Sequence, residues 1–395
     1  MIEDLRRPWV AAFAALMATT MASATVIVNS IGVLAARLIA DFGLTRAEVG
    51  GLVTAFGVTA TALSVPAGRT TDRVGGRQTL AVVYGLSIVA LLALAAAPSY
   101  TFLAIALGLG GVANAGANPG TNALIGAQLP AGRRGLVTGV KMSGVQLGVF
   151  GIGVGLPLGF ETFGWRPTMA MLSLLPVAGL GWLLAMLPKM PPQPRHDLPQ
   201  VTPTGIRVLA VYTFLMSAAS AATITYIPLF SEEQLGLSPV TAGLTVALAG
   251  IVAVAGRIAW GTLTERTVSP ATTLTAVALG SAIATGTLLA TATHGTAVLW
   301  PAVVMIGATA TSYNAAATMA LLRLAPPHLT GRASGVIFTG FLGGLAVGPI
   351  AFGTLVDASS SYTMAWLAAV GTFVLALVVA VVGVRATSTA AGMTF

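Results

Sequence analysis

Two cations stand where the surrounding residues argue against charge. Lys141 lies inside a long apolar run, and Arg257 lies near the end of another. An ionisable side chain in such a run marks a functional position by default. Lys141 shares a helical face with Gly144 and Gly148, at i+3 and i+7, and Arg257 ends a similar stripe of Gly243, Ala247, Gly250 and Val254. Faces lined with small residues let helices approach closely. Were the fold to bring the two cations to one cavity, they would suit an anion, because an anion in apolar surroundings needs paired cations and hydrogen bonds. Amides and phenols are available to supply those bonds. Asn114, Asn118 and Asn122 recur at i, i+4 and i+8 on one face of the fourth run. Three amides on one face must meet a cavity or another helix, and the interhelical role is the one expected of Asn122. Tyr313 and Asn314 form the mirror element in the tenth run, while Asn29 and Tyr226 add single polar groups in the first and seventh. The plainer alternative has Lys141 reaching out to lipid headgroups and Arg257 joining a loop charge network.

Other chemistries lack their residues. There is no cysteine, so no thiolate, disulfide or thiol metal site is expected. The three histidines, His196, His294 and His328, are scattered and suggest no metal cluster. No Walker loop, nucleophile elbow or zinc helix appears, so neither an enzyme nor a nucleotide-driven pump is expected, and no cofactor. None of the eleven acidic residues falls in the middle of an apolar run, which leaves no obvious carboxylate for carrying a proton.

The elements that must position these residues follow from composition. Of 395 residues, 56% are hydrophobic and 8% charged, against roughly 25% charged in a soluble domain. Such a chain cannot cover a water-facing surface, and alternation of the strand type is absent. Twelve apolar runs stand out, at 9–31, 47–67, 78–97, 101–127, 136–160, 166–187, 207–230, 239–260, 271–293, 297–323, 333–356 and 363–384. Each is long enough to cross a bilayer as a helix. The first follows Arg6-Arg7 and reads as a retained span rather than a cleaved leader. The net charge of +8 is spread singly or in pairs at run ends, which speaks for membrane orientation and not for nucleic acid. With the N-terminus inside, fifteen of the nineteen Lys and Arg fall on the cytoplasmic side and Arg37, Arg46 and Arg166 on the other. Both termini are therefore expected in the cytoplasm, in the plasma membrane of a cell and, for a bacterium, its inner membrane.

The chain also repeats itself. Gly43-Leu44-Thr45 recurs as Gly236-Leu237-Ser238, and Gly68, Asp72 and Arg73 recur as Gly261, Glu265 and Arg266, all 193 positions on. Further along, Asn118, Gly144 and Gly148 match Asn314, Gly340 and Gly344 at an offset of 196. A Pro-rich stretch beginning Pro188-Lys189-Met190-Pro191-Pro192 separates the copies. The expected organisation is an all-α membrane protein of two six-helix halves, 1–187 and 207–395, joined by a linker over 188–206 and related by a pseudo-two-fold axis.

The stretch Gly68-Arg69-x-x-Asp72-Arg73-x-Gly75-Gly76-Arg77, its weaker copy, twelve spans and the central linker resemble the major facilitator superfamily over essentially the whole chain. That resemblance implies a monomeric secondary transporter that rocks its halves about a central site. It implies that Gly68, Asp72, Arg73, Arg77, Glu265 and Arg266 belong to a gate network rather than to a substrate site. Arg257 stands four residues before Gly261, in a setting similar to that of the helix-8 arginine of oxalate–formate exchangers and monocarboxylate transporters, which implies a carboxylate-like cargo. Those proteins usually carry Pro after the arginine, where this chain has Ile258, and the exchangers have a second cation in the eleventh span, where the repeat partner of Lys141 is Ile337. The expected activity is movement of a small organic or inorganic anion by symport or exchange, with a proton or counter-anion as coupled partner. The alternative is proton-coupled efflux of hydrophobic drugs or neutral metabolites; the fourth span lacks the arginine that drug/proton antiporters of the superfamily carry.

Overall fold

A computed structural model describes residues 8–187, 204–266, 269–324 and 330–384. Most of the linker, together with His196 and His328, lies outside the described residues. What is described is helical, and twelve helices are long and apolar enough to cross a membrane. The first six spans are α1 (Pro8–Phe42), α2 (Arg46–Val74), α3 (Gly76–Ala96), α4 (Tyr100–Gln128), α5 (Ala131–Phe163) and the pair α6 (Trp165–Leu172) and α7 (Leu174–Met186). The next are α8 (Thr204–Glu233), α9 (Pro239–Arg266), and α10 (Pro270–Gly286) with the short continuation α11 (Thr291–His294). The tenth span is split into α12 (Thr296–Ala308) and α13 (Tyr313–Leu324), and α14 (Thr330–Ser359) and α15 (Tyr362–Val378) complete the set.

The chain forms two compact units, residues 1–37 with 55–196, and 38–54 with 197–395. Each is held by close helix packing. A methyl group added at Gly144 of α5 would collide with the carbonyl of Ala18 on α1, and one at the repeat-related Gly340 of α14 with the carbonyl of Ala210 on α8. The first and fifth spans of each copy therefore touch backbone to backbone, as glycine permits. A buried hydroxyl pair also recurs: Thr79 Oγ1 donates to Thr71 Oγ1 at 3.2 Å in one unit, and Thr264 Oγ1 to Thr273 Oγ1 at 3.1 Å in the other. Large apolar side chains such as Ile105, Leu147 and Leu375 stay more than half exposed, as lipid-facing residues do.

Several helices outrun the apolar runs that announced them. Arginines also cap C-terminal carbonyls, which have no partner within the helix. Arg134 donates to the carbonyls of Gly126 and Leu129 at the end of α4, at 2.8 and 2.9 Å. Arg166 reaches Ala95 and Ala97 after α3, and Arg323 reaches Thr264 near the end of α9.

Candidate substrate site and gate motif

Arg257 was counted among the cytoplasmic cations, and this is corrected: it lies nine residues before the end of α9, roughly 13 Å along the axis at 1.5 Å per residue. Its face of α9 is bonded to the interruption of the tenth span at 309–312. Ser312 Oγ donates to the Ala253 carbonyl at 3.2 Å, and Trp260 Nε1 donates to the Ala308 carbonyl at 2.7 Å. From α8, Ser220 Oγ donates to the Ala310 carbonyl. Trp260 and Ser220 thus satisfy carbonyls of Ala308 and Ala310 that a continuous tenth helix would have satisfied itself.

What remains there is donor-rich. Arg257 makes one long bond, from Nη2 to the Thr311 carbonyl at 3.4 Å. Its Nε is buried with no hydrogen-bond partner, and so is the hydroxyl of Tyr313, the first residue of α13. The two groups lie within electrostatic range of each other. Ser217 is close to the Tyr313 hydroxyl; its own hydrogen goes to the Phe341 carbonyl at 2.6 Å, so toward the phenol its oxygen can only accept, and no bond of hydrogen-bond geometry joins the two. Unpaired buried polar atoms are few in native proteins and each calls for an explanation. The first N–H groups of α13 open at the same break, and a helix N-terminus favours negative charge. Every described carboxylate lies within two residues of a helix end, so none sits beside Arg257 along its helix. Asn314 is half-buried next to Tyr313, with Thr318 Oγ1 donating to its carbonyl at 2.8 Å.

Lys141 presents the opposite case. Because α5 begins at Ala131 rather than near residue 136, Lys141 stands ten residues in, roughly 15 Å along the axis. Its side chain does not snorkel; the residue is 0% exposed. All three hydrogens on Nζ are used: it donates to Asn118 Oδ1 at 3.1 Å, Thr121 Oγ1 at 3.2 Å and Asn122 Oδ1 at 2.8 Å. Asn122 is interhelical as expected. Asn118, expected at the substrate, faces Lys141 instead, and the amide face of α4 is turned toward α5. Asn114 is buried one turn earlier on α4, and Asn29 is half-buried on α1. Interhelical polar bonds average about 0.6 kcal/mol each, so three give about 2 kcal/mol. A charged side chain at mid-span costs about 2.5–3.5 kcal/mol even on the lenient scale. Helix bonding alone does not offset the burial of this ammonium.

Tyr226 is a correction. It does not line a cavity; its hydroxyl donates to the Arg46 carbonyl at the start of α2, and its ring stacks on Phe352 with centroids 4.7 Å apart. It belongs to a cluster that sequence reasoning passed over. Thr45 and Glu48 form a capping box: the Thr45 N–H donates to Glu48 Oε2 at 2.8 Å, and the Glu48 N–H to Thr45 Oγ1 at 3.1 Å. The Asp357 carboxylate accepts from the N–H groups of Arg46 and Ala47 at 3.2 and 2.7 Å, and Glu233 accepts from Arg46 Nη2 at 2.8 Å and the Tyr362 hydroxyl at 2.7 Å. The Thr-x-x-Glu spacing was legible in the sequence. A contact 311 positions apart, from Arg46 to Asp357, was not.

The gate motif begins beyond the end of its apolar run at residue 67, where a loop is the expectation, yet the backbone is helical through Val74. Gly68, Asp72 and Arg73 lie on the last turns of α2, Gly75 makes the turn at φ 87°, and Arg77 opens α3. Arg77 Nη2 donates to the Leu184 carbonyl at 3.4 Å and Nε to the Leu187 carbonyl, at the end of α7. Arg73 is exposed and Asp72 half-buried. The side chains of Glu265 and Arg266 lie outside the described residues.

Residues 9–345 match the sequence profile described as Major Facilitator Superfamily. The chain belongs to this superfamily. An uncharacterized MFS-type transporter of Mycobacterium tuberculosis, found in strains CDC 1551 and H37Rv, is 25% identical over 309 residues, covering 76% of this chain and 69% of the relative. Among solved structures, a bacterial homolog of the human lysosomal transporter Spinster, inward-facing and unoccupied, superposes with a TM-score of 0.83 at 16% identity. That match covers 98% of this chain and 99% of the homolog. A D-xylose–proton symporter gives 0.80 at 16% identity over 94% and 97% of the two chains. The nucleoside transporter NupG gives 0.76 at 13% identity over 93% and 99%. At these identities the likeness is one of fold. The protein is thus a multi-pass membrane transporter of the Major Facilitator Superfamily and not an enzyme.

Proposed function

We propose that this transporter moves a small anion with carboxylate-like geometry by symport or exchange, and that Arg257 anchors it. The observation that carries the reading is the pair of unused donors at the break in the tenth span, Arg257 Nε and the Tyr313 hydroxyl. A guanidinium placed only to hold the break together would use its donors on the freed carbonyls. Arg257 makes one bond to them, at 3.4 Å. A carboxylate can accept from Nε and from the phenol together, with its charge at the positive end of α13. Interrupted helices whose half-helix N-termini face anionic groups are a recurring transporter device. Asn314 adds an amide at the rim. Lys141 and Asn118 hold each other and are not part of this anchor. Gly68, Asp72, Arg73 and Arg77 of the first copy, at the opposite end of α2 from Arg46, and Glu265 and Arg266 of the second copy serve gating and not the cargo. The protein works as a monomer in the plasma membrane with both termini in the cytoplasm, as the charge distribution favours.

The test is ligand-induced thermal stabilisation of the purified protein against mono- and dicarboxylates, inorganic anions, sugars, nucleosides and lipophilic cations. A ligand that binds only the folded state raises the melting temperature by mass action. Stabilisation by one anion class, lost in Arg257→Ala, supports the reading and names the cargo. Stabilisation by sugars, nucleosides or lipophilic cations, unchanged in Arg257→Ala, overturns it.

A further inference from the structure

The transport cycle of an anion leaves open where a coupled proton would ride. Carboxylates are the usual candidates inside a span, and here the described ones all lie at helix ends. Lys141 is a lysine deep in a span, and the anchor described above makes no use of it.

The groups Lys141 is bonded to are neutral: from α4 it meets two amides and a hydroxyl. On α3, which shares a core cluster with α5, the ionisable groups are Arg77 and Tyr84, whose phenol is bonded to Thr20 at 2.8 Å. On α1, which packs through Ala18 on Gly144, the ionisable side chains are Arg37 and Asp41, nineteen and more residues beyond that contact. On α6 there is Arg166, and on α5 itself Arg133 and Arg134 lie seven or eight residues away and Glu161 twenty. The cost of leaving water therefore falls on the ammonium with no counter-charge to offset it, and does not fall on the neutral amine.

The cage also fits both forms. The ammonium has three donors and finds three acceptors. Thr121 can only accept, since its own hydrogen goes to the Ala117 carbonyl at 2.7 Å. Asn118 and Asn122 are amides, and an amide presents oxygen one way and NH2 when turned over. The neutral amine has two donors and one lone pair; one amide turned over supplies the donor that lone pair needs. A carboxylate in that position would lack this second role. Asn122 is exposed although Lys141 is not, so a single amide separates the nitrogen from the edge of the unit.

We propose that Lys141 is a proton-exchange site of the transport cycle: Nζ gives one proton to water and later takes one back, while Asn118, Thr121 and Asn122 hold the side chain in both forms. No bond to carbon changes, and the coupled species is the proton itself. The proposal rests on the transporter identity and not on which cargo Arg257 binds.

The lysines of the chain are Lys141 and Lys189, which makes a direct test practical. In a Lys189→Arg background, lysine labelled with carbon-13 at Cε gives one resonance, that of Lys141. The expected result is a shift from the ammonium to the amine position as folded protein in detergent is taken from mildly acidic to mildly alkaline buffer. A resonance that stays at the ammonium position throughout overturns the proposal. Lys141→Arg keeps the charge and cannot release its proton. In proteoliposomes loaded with oxalate as probe, it should retain oxalate–oxalate counterflow and lose accumulation driven by an imposed pH gradient. Retained gradient-driven accumulation in that variant counts against the proposal. If oxalate and other carboxylates are not carried at all, the cargo reading fails, and the lysine resonance still decides the proton site.

Discussion

Lys141 on α5 and Arg257 on α9 each stand in mid-helix with no carboxylate beside them, yet they are finished in opposite ways. Lys141 is sealed and all three of its donors meet neutral acceptors on α4. Arg257 is half-buried, holds one long bond, and keeps a buried Nε without a partner. The first arrangement is complete without a ligand. The second is complete only when something accepts from it. A buried charge tells where function lies; the state of its hydrogen bonds tells which kind, since an unpaired donor awaits a ligand and a caged one does not.

The contrast is broken most severely at Arg257. Arg257→Gln should lower anion affinity tens- to thousands-fold, the roughly 2–5 kcal/mol lost when one partner of a hydrogen-bonded charge pair is truncated. It should leave unliganded stability nearly unchanged, because a single 3.4 Å bond disappears. Titration calorimetry and thermal melts read the two effects separately. Lys141→Ala should do the reverse. Stranding the acceptors on α4 should cost about 1–3 kcal/mol of stability, seen as a lower melting temperature, with anion affinity within a factor of about two.

Much of this contrast is legible in the sequence alone. Lys141, Arg257, Asn118, Asn122 and Tyr313 stand out because polar groups are conspicuous in apolar runs, and Gly144 and Gly340 mark the packing faces. The interruption at Thr309–Ser312 was not legible. No proline stands there, and Thr and Ser are as common inside the spans as between them; the break goes with bonds arriving from Ser220 and Trp260 on other helices. Thr121 was hidden for the same reason. The extension of α2 through Val74 was missed because hydropathy marks where apolar residues stop, and Arg69, Asp72 and Arg73 keep helical backbone in water. The cluster of Arg46, Glu233 and Asp357 joins residues more than 180 positions apart, which no local pattern reports.

Smaller perturbations sharpen the comparison. Tyr313→Phe removes one of the two waiting donors and should weaken anion binding by about 1 kcal/mol, roughly fivefold. Its unliganded melting temperature should hold or rise, since a buried unpaired hydroxyl is removed. Glu233→Gln in the cluster around Arg46 should change stability least, by at most about 1 kcal/mol, because Arg46 and Glu233 remain 34% and 25% exposed. A thermal melt of that variant beside wild type checks it.

The most direct test sets the two cations side by side. The melting temperatures of wild type, Lys141→Gln and Arg257→Gln are measured with and without the anion that stabilises the wild type best. Arg257→Gln should lose the anion-induced rise entirely, and Lys141→Gln should keep it. A rise that survives in Arg257→Gln and vanishes in Lys141→Gln would place the anion at the caged lysine and contradict the account.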